Sequence, residues 1–404
     1  MSLPQSSQAT VKEQTEAVRR DEERQWFLLA KNQLRQGLSA SEINELEQIA
    51  RRKQAKLDDE CALLEAPFAH LPPLPAALPM YSHHTTAFSS SEMTFFTWCI
   101  DGEQDAVEEY IESQEGHASQ AVLQRGLDSA CKGGRAQVAS YLLGKGTQLH
   151  DSAIKYASER GDLALFEAFL DHGWNPNQQV PGGFGVALPH CTNDPQIVKL
   201  LLTHGAEPNL GRFDIRKISG LGLTPPMDRK SGAALTAAAQ SGNIEVIDML
   251  LQHGAVLEWS TPLHGALCDP KAWSRNRAAF VHLLRLGADP SKRITFKCCN
   301  LWEIGDPLWW ALRGGNWDAV ELLLEAGADP EGGYASAKYI DEHMSWGKVR
   351  VDKLELEHSG ISEESLTWRE AFVAVNNKVK RKKKEARQKE LNWTNESLIL
   401  GIGA

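Results

Sequence analysis

The chain has 404 residues, 42% of them hydrophobic and 24% charged, with a formal net charge of −10 at pH 7. That balance is an ordinary globular one and excludes a disordered or collagen-like polymer; the acidic excess argues against nucleic acid as a partner for most of the surface. No run approaches the roughly 18 apolar residues of a membrane helix, and the start MSLPQSSQATVKEQ lacks the charged end and apolar core of a secretory leader, so the expected location is cytoplasmic.

Residues 1–66 read as a charged helical segment. Residues 9–36 are rich in Glu, Arg, Gln and Leu. A second stretch from Ser41 places Ile43, Leu46, Ala50, Leu57 and Leu64 on one stripe, with Ser39 and Glu42 spaced for a capping box. Two readings stand: a coiled coil that pairs two copies of the chain, or a helical hairpin covering the open end of the central region. The second is favoured, because Lys53 and Glu60 interrupt the stripe. Residues 67–91 hold five prolines between Pro67 and Pro79, then SHHTTAFSSS, and read as a semi-extended linker that lets the first segment move.

From there a pattern recurs. The endings LLGKGTQL, FLDHGWNP, LLTHGAEP, LLQHGAVL, LLRLGADP and LLEAGADP carry Gly146, Gly173, Gly205, Gly254, Gly287 and Gly327, at spacings of 27, 32, 49, 33 and 40 residues. Upstream of the endings lie matching first helices, as in GLDSACKGGRAQVASYL, SAIKYASERGDLALFEAF and AALTAAAQSGNIEVIDML. Each unit is a pair of short helices, too small to be stable alone, so the units must cover one another. Glycines such as Gly161, Gly242 and Gly315 supply the positive backbone angle that reverses the chain between helices. Small pairs such as Ala238 and Ala239 let neighbouring helices approach, and Leu250 with Leu251 faces both the partner helix and the next unit.

STPLH at Ser260–His264, the glycine between helices and the Leu-Leu-x-x-Gly-Ala endings resemble the ankyrin repeat. The resemblance spans residues 92–333, with FFTWCIDGEQDAVEEYIES as the first and weakest of about seven units. It implies an all-α helix-turn-helix solenoid. At the T-P-L-H opening it implies that Thr261 caps the helix, that Pro262 takes its first position, and that His264 hydrogen-bonds within the loops. The irregular spacing is similar in style to the ankyrin proteins of filamentous fungi. In 185–206 residues are missing and Pro195 stands where the connecting glycine belongs, so the first helix there is expected to be short. Inserts near 211–230 and 291–304 account for the long spacings and are expected at the hairpin tips; extra residues near Asp269–Asn276 lengthen the first helix or turn of the sixth unit.

Residues 334–404 form a C-terminal extension. A long helix is expected over 361–393, its apolar Leu366, Phe372, Val375 and Val379 capping the far end of the solenoid. Between Lys378 and Lys389 the chain carries a net +7. Lys378, Lys380, Arg381, Lys382, Lys383 and Lys384 form a candidate nuclear import signal, with a nucleic-acid contact or a plain solvated helix end as the other readings.

Catalytic constellations are missing from the sequence: no phosphate-cradling glycine loop, no Gly-x-Ser-x-Gly elbow, no H-E-x-x-H helix. An enzyme is not expected, nor a cofactor. His172, His204 and His253 share one position in the last turn of a helix, where imidazole complements the free carbonyls. Cys298 and Cys299 with Cys268 and His264 are poorly spaced for zinc, and no metal is expected. Asn392 and Asn395 sit in formal glycosylation motifs that mean nothing without a secretory route. Tryptophan is the unusual feature, with six of twelve between Trp259 and Trp317. Trp309 and Trp317 read as space-filling. Trp302 and Trp310 read as a binding face, with Trp273, Arg275, Arg277 and Arg293 beside them.

The expected function is therefore a non-catalytic scaffold or adaptor binding a protein partner. The alternatives are a nuclear regulatory protein carried by the basic run, and an accessory protein that binds an enzyme or metabolite of a biosynthetic pathway.

Overall fold

A computed structural model describes residue 24, then 39–45, 47–49, 51–52, 66–80, 88–114, 119–212, 227–294, 305–344, 348–350, 354 and 365–399, with side chains to 389. The chain falls into two units, 1–73 with 216–226, and 74–215 with 227–404. In the first unit the capping box forms: the Glu42 carboxylate accepts from the Ser39 N–H at 2.9 Å, and the Glu42 N–H donates to Ser39 Oγ at 3.3 Å. The Arg24 guanidinium forks onto Glu45 at 3.0 and 2.9 Å, tying the two charged stretches together. Of the apolar stripe, Ile43 is exposed while Ile49 is the buried side chain; Leu46, Ala50, Leu57 and Leu64 lie outside the described residues.

The second unit is a stack of helix pairs. Numbered from its first repeat, the helices are α1 (Ser90–Asp101), α2 (Gln104–Ser113), α3 (Gln120–Gly133), α4 (Ala136–Gly144), α5 (Asp151–Arg160), α6 (Leu163–Asp171) and α7 (Pro195–Thr203). There follow α8 (Ala233–Ser241), α9 (Ile244–Gln252), α10 (Pro262–Leu267), α11 (Trp273–Arg285), α12 (Pro307–Arg313), α13 (Trp317–Ala326), α14 (Pro330–His343) and α15 (Trp368–Ile399). First helices pack on first helices, second on second. One row runs α1, α3, α5, a 3-10 turn at Leu188–His190, α8, α10, α12, α14; the other runs α2, α4, α6, α7, α9, α11, α13, α15. One continuous apolar core follows both rows, from Phe95 through Phe166 and Phe280 to Phe372.

Local chemistry sets the hairpins. Gly161, Gly242 and Gly315 have φ of +62°, +71° and +63°. In each case the next residue, Asp162, Asn243 or Asn316, accepts the N–H three positions on and so starts the second helix. Close packing of the first row depends on missing side chains. A Cβ at Gly265 would lie 2.4 Å from the Thr236 carbonyl oxygen, and one at Gly133 2.3 Å from that of Ile100. Ala238, Ala239 and Leu250 are fully buried, as the repeat pattern requires.

The inserts leave the hairpin tips as two-stranded stems. Strand β1 (Gly211–Arg212) pairs antiparallel with β2 (Met227–Asp228), and Ile294 bridges Gly305; the residues between lie outside the described set. The fourth repeat keeps only the Leu188–His190 turn as its first helix, and Pro195 opens α7 with Asp194 as cap.

Several expectations change. Thr261 does not cap α10: its hydroxyl is buried without a hydrogen-bond partner, and its N–H donates instead to Thr236 Oγ1 at 3.0 Å. The extra residues of the sixth repeat form a 3-10 turn at Pro270–Ala272, in keeping with the turn alternative, but the helix that is lengthened is the second, α11, not the first. The helix row does not stop at 333: Asp329 caps and Pro330 opens α14, which takes the next place in the first row. The long helix begins at Trp368, not near 361, after β4 (Ser365–Leu366) has paired with β3 (Val349–Arg350). Its Phe372, Val375 and Val379, with Leu366 just ahead of it, are buried over the last repeat, as a terminal cap needs. The proline segment is not a free linker over its whole length either: Leu78 is buried, its N–H donating to the Gln179 carbonyl at 2.8 Å.

Candidate interaction surface

Adjacent residues on a helix point about 100° apart, so Trp309 and Trp310 face different surroundings. The structure turns Trp310 in. It is 4% exposed, edge-on to His264 at 5.9 Å, and is a core residue rather than a binding one. Trp309 is half-buried and meets Tyr339 of α14 edge to face at 5.9 Å, while Tyr339, 48% exposed, stacks on His343 at 4.4 Å. Trp317 fills space as expected, against Trp368. Trp302 lies outside the described residues.

Two other expected contact residues meet on one carboxylate. Trp273 Nε1 donates to Asp318 at 3.0 Å and the Arg277 guanidinium donates to the same group at 2.6 and 3.3 Å, stitching α11 to α13. Arg275 donates to the Gln240 carbonyl at 3.3 Å, beside the fully buried Asn276, which donates to Gln240 and Ala266. Arg293 is exposed. The expected patch is thus split: Trp273, Arg275 and Arg277 hold repeats together, and the outward aromatic surface is Trp309, Tyr339 and His343. Tyr339 and His343 escape a reading of the sequence because Gly332 and Gly333 look like a break. The Asp329-Pro330 pair, a cap followed by proline at the first helical position, is the signal that a helix starts there.

The basic run is divided in the same way. Lys378 donates to Glu321 at 2.7 Å, Lys382 to Glu321 and to Glu325, the latter at 3.1 Å, and Lys383 to the Leu324 carbonyl at 2.8 Å. Burial pushes the Glu321 carboxyl up, but the two lysine ammonium groups outweigh it and hold it below the usual carboxylate range. Lys380, Arg381 and Lys384 are exposed on the opposite side of α15.

The repeat histidines and the buried cysteines are accounted for by contacts within the fold. His204 and His253 bond the Leu200 and Met249 carbonyls, each at 2.8 Å, and His172 bonds Ser140 at 3.0 Å. His264 is buried and its Nε2–H donates to the Gly305 carbonyl at 3.2 Å; burial lowers its pKa to about 4, so it is neutral. Burial raises the Cys99 and Cys191 thiols to about 12, which keeps them protonated and poor nucleophiles. Cys298 and Cys299 are outside the described residues, and among those described no three His, Cys, Asp or Glu side chains are grouped to hold a metal. Within the same set no helix is long and apolar enough to cross a membrane.

The family model described as Ankyrin repeat matches residues 306–332, the unit formed by α12 and α13. A human relative, transient receptor potential cation channel subfamily A member 1, is 26% identical over 202 residues, which are 48% of this chain and 16% of that protein. Among solved structures, the human ASB11 ankyrin repeat domain is 18% identical over 59% of this chain and 85% of its own, with a TM-score of 0.31. The ankyrin repeat domain of Bcl-3 is 22% identical over 57% of this chain and 97% of its own, with a TM-score of 0.38.

Proposed function

We propose that this chain, whose repeats are ankyrin repeats, is a non-catalytic protein-binding scaffold that docks its partner on the aromatic face of α12 and α14. Ankyrin repeats are generally protein–protein interaction modules. The observation that carries the reading here is the Trp309–Tyr339–His343 array, built on two neighbouring helices, with Trp309 half-buried and Tyr339 and His343 exposed. Aromatic rings fixed in place bring large contact area at little ordering cost, which is why they dominate binding hot spots. The test is capture of the tagged chain's partners beside a Trp309→Ala, Tyr339→Ala double variant that melts like the parent. A partner held by the parent and lost by the variant is expected. Equal capture by both would remove this face from the proposal.

A second reading has its own support. Lys380, Arg381 and Lys384 stay exposed while their neighbours grip α13, which leaves part of the basic run open to an import receptor. Changing these three to Ala in a fluorescent fusion is expected to lower the nuclear fraction; an unchanged distribution would dismiss the signal.

A further inference from the structure

The proline segment Leu74–Met80 lies across the loops of the repeats and runs against their order. Leu74 packs with Val186, Leu210 and Met227 of the fourth and fifth repeats. Further on, the Ala76 carbonyl accepts from Gln178 Nε2 at 3.1 Å, the Leu78 N–H donates to the Gln179 carbonyl at 2.8 Å, and the Pro79 carbonyl accepts from the Asp151 N–H at 3.1 Å. The strap is therefore seated as an extended peptide, by main-chain bonds and two leucine anchors.

It fills its seat badly. Between Ala77–Pro79 and the loops closing the second and third repeats there is an open cavity of about 530 Å³, walled by Leu143, Leu149, Phe169 and Trp174. Of the strap, Ala77, Leu78 and Pro79 line it, with Leu78 buried and Ala77 and Pro79 exposed, and two buried polar atoms beside it, Thr147 Oγ1 and Trp174 Nε1, have no hydrogen-bond partner. Pro75 and Pro79 have no N–H to give. An extended apolar segment with a larger side chain at the Ala77 place would bury more surface and keep the same main-chain bonds.

We propose that this groove receives an extended, proline-containing segment of a partner protein, with Leu in the Leu78 niche and an aromatic side chain over the cavity, and that residues 74–80 are its displaceable occupant. The proposal rests on the chain being a protein-binding solenoid, but uses a surface separate from the α12–α14 face. Its main-chain contacts favour a peptide over a small apolar molecule, since Gln179 and Asp151 present one acceptor and one donor at the spacing of an extended backbone.

The test uses the full chain carrying Leu78→Asp, which frees the strap, and two labelled synthetic peptides, one with the sequence of residues 70–82 and one with Ala77→Trp in that sequence. The Ala77→Trp peptide is expected to bind the freed chain about tenfold more tightly than the native peptide, to bind the unaltered chain more weakly, and to restore slow hydrogen exchange at the Asp151 amide. Equal binding of the two peptides, or none to a freed chain that melts like the parent, would overturn it. Tryptophanamide competing as well as the peptide would also overturn it, by placing recognition in the cavity alone. If Leu78→Asp melts early, Ala77→Trp within the chain itself serves instead: slower Asp151 exchange is expected, and unchanged exchange contradicts the proposal. Loss of peptide binding here while the Trp309, Tyr339 variant still loses its partner separates failure of the groove from failure of the scaffold reading.

Discussion

Glu321 on α13 and Lys378 on α15 sit 2.7 Å apart, each with 14% of its side chain exposed, so the terminal helix is fastened to the last repeat by a largely dry ion pair. Removing one member leaves the other charge in poor solvation, which costs more than the pair itself contributes. Glu321→Ala is expected to lower stability by about 2–3 kcal/mol, read by denaturant unfolding followed at Trp317 and Trp368. The Glu321 carboxyl is held low in the fold, so its contribution is complete above the ordinary carboxylate range and fades as pH falls below about 4. The variant should show a shallower acid limb; an identical limb would contradict the pairing.

His264 titrates in a different window. Its folded pKa of about 4 lies below the ordinary value near 6.5, so the unfolded chain takes up the proton first. Stability is therefore full above about pH 6.5 and declines down to about 4, by on the order of 3 kcal/mol over that range. His264→Gln should flatten this part of the profile. Unchanged pH dependence between 6.5 and 4 would show that the imidazole is not the group responsible.

Asp318 receives both Trp273 and Arg277, and the two donors differ in kind. The guanidinium is half-exposed and screened, so a double-mutant cycle between Arg277→Ala and Asp318→Ala should give a coupling of about 0.5–1 kcal/mol. Asp318→Ala should also shift the emission of Trp273, which Arg277→Ala alone should leave nearly in place.

Two glycines predict opposite sensitivities. At Gly265 an added methyl meets the Thr236 carbonyl oxygen at 2.4 Å, a backbone contact that only separation of α8 and α10 relieves. At Gly254, with φ of +91°, an added methyl meets nothing and only the backbone angle is penalised. Gly265→Ala should cost about 3 kcal/mol and Gly254→Ala about 1–2 kcal/mol. Thermal melts with the order reversed would put the strain in the turns instead of the helix row.

The repeats are legible in the sequence because most hairpins share one chemical solution: a glycine at positive φ between the helices, followed by an Asx cap in the third, fifth and seventh repeats, and a leucine-rich ending closed by glycine. Six endings carry it, so the order of the units can be read with no structure. The features that stay hidden follow no repeat. Trp310 turns inward and Trp309 outward because α12 starts at Pro307, a phase that sequence spacing leaves open by one residue. Asp318 lies 45 positions from Trp273, and nothing local marks the two as partners. Thr261 has the right residue type for a cap but spends its N–H on Thr236, a contact made only once α8 and α10 are side by side. The strap reads as a linker since prolines suit both roles; its seat is made by Gln178, Gln179 and Asp151, which carry no pattern of their own.

Helix α15 has 32 residues, and Lys383 holds the Leu324 carbonyl of α13 about midway along it. At a rise of 1.5 Å per residue, the stretch from Lys383 to Ile399 adds roughly 24 Å of stiff rod. A fluorophore placed at residue 399 thus sits at a helical distance from Lys383 set by the rod's length, like a flag on a mast. The lysines at the mast's foot, answering to Glu321 and Glu325, set its tilt, so the distance from that tip to α13 becomes a ruler for whether the foot is clamped or loose.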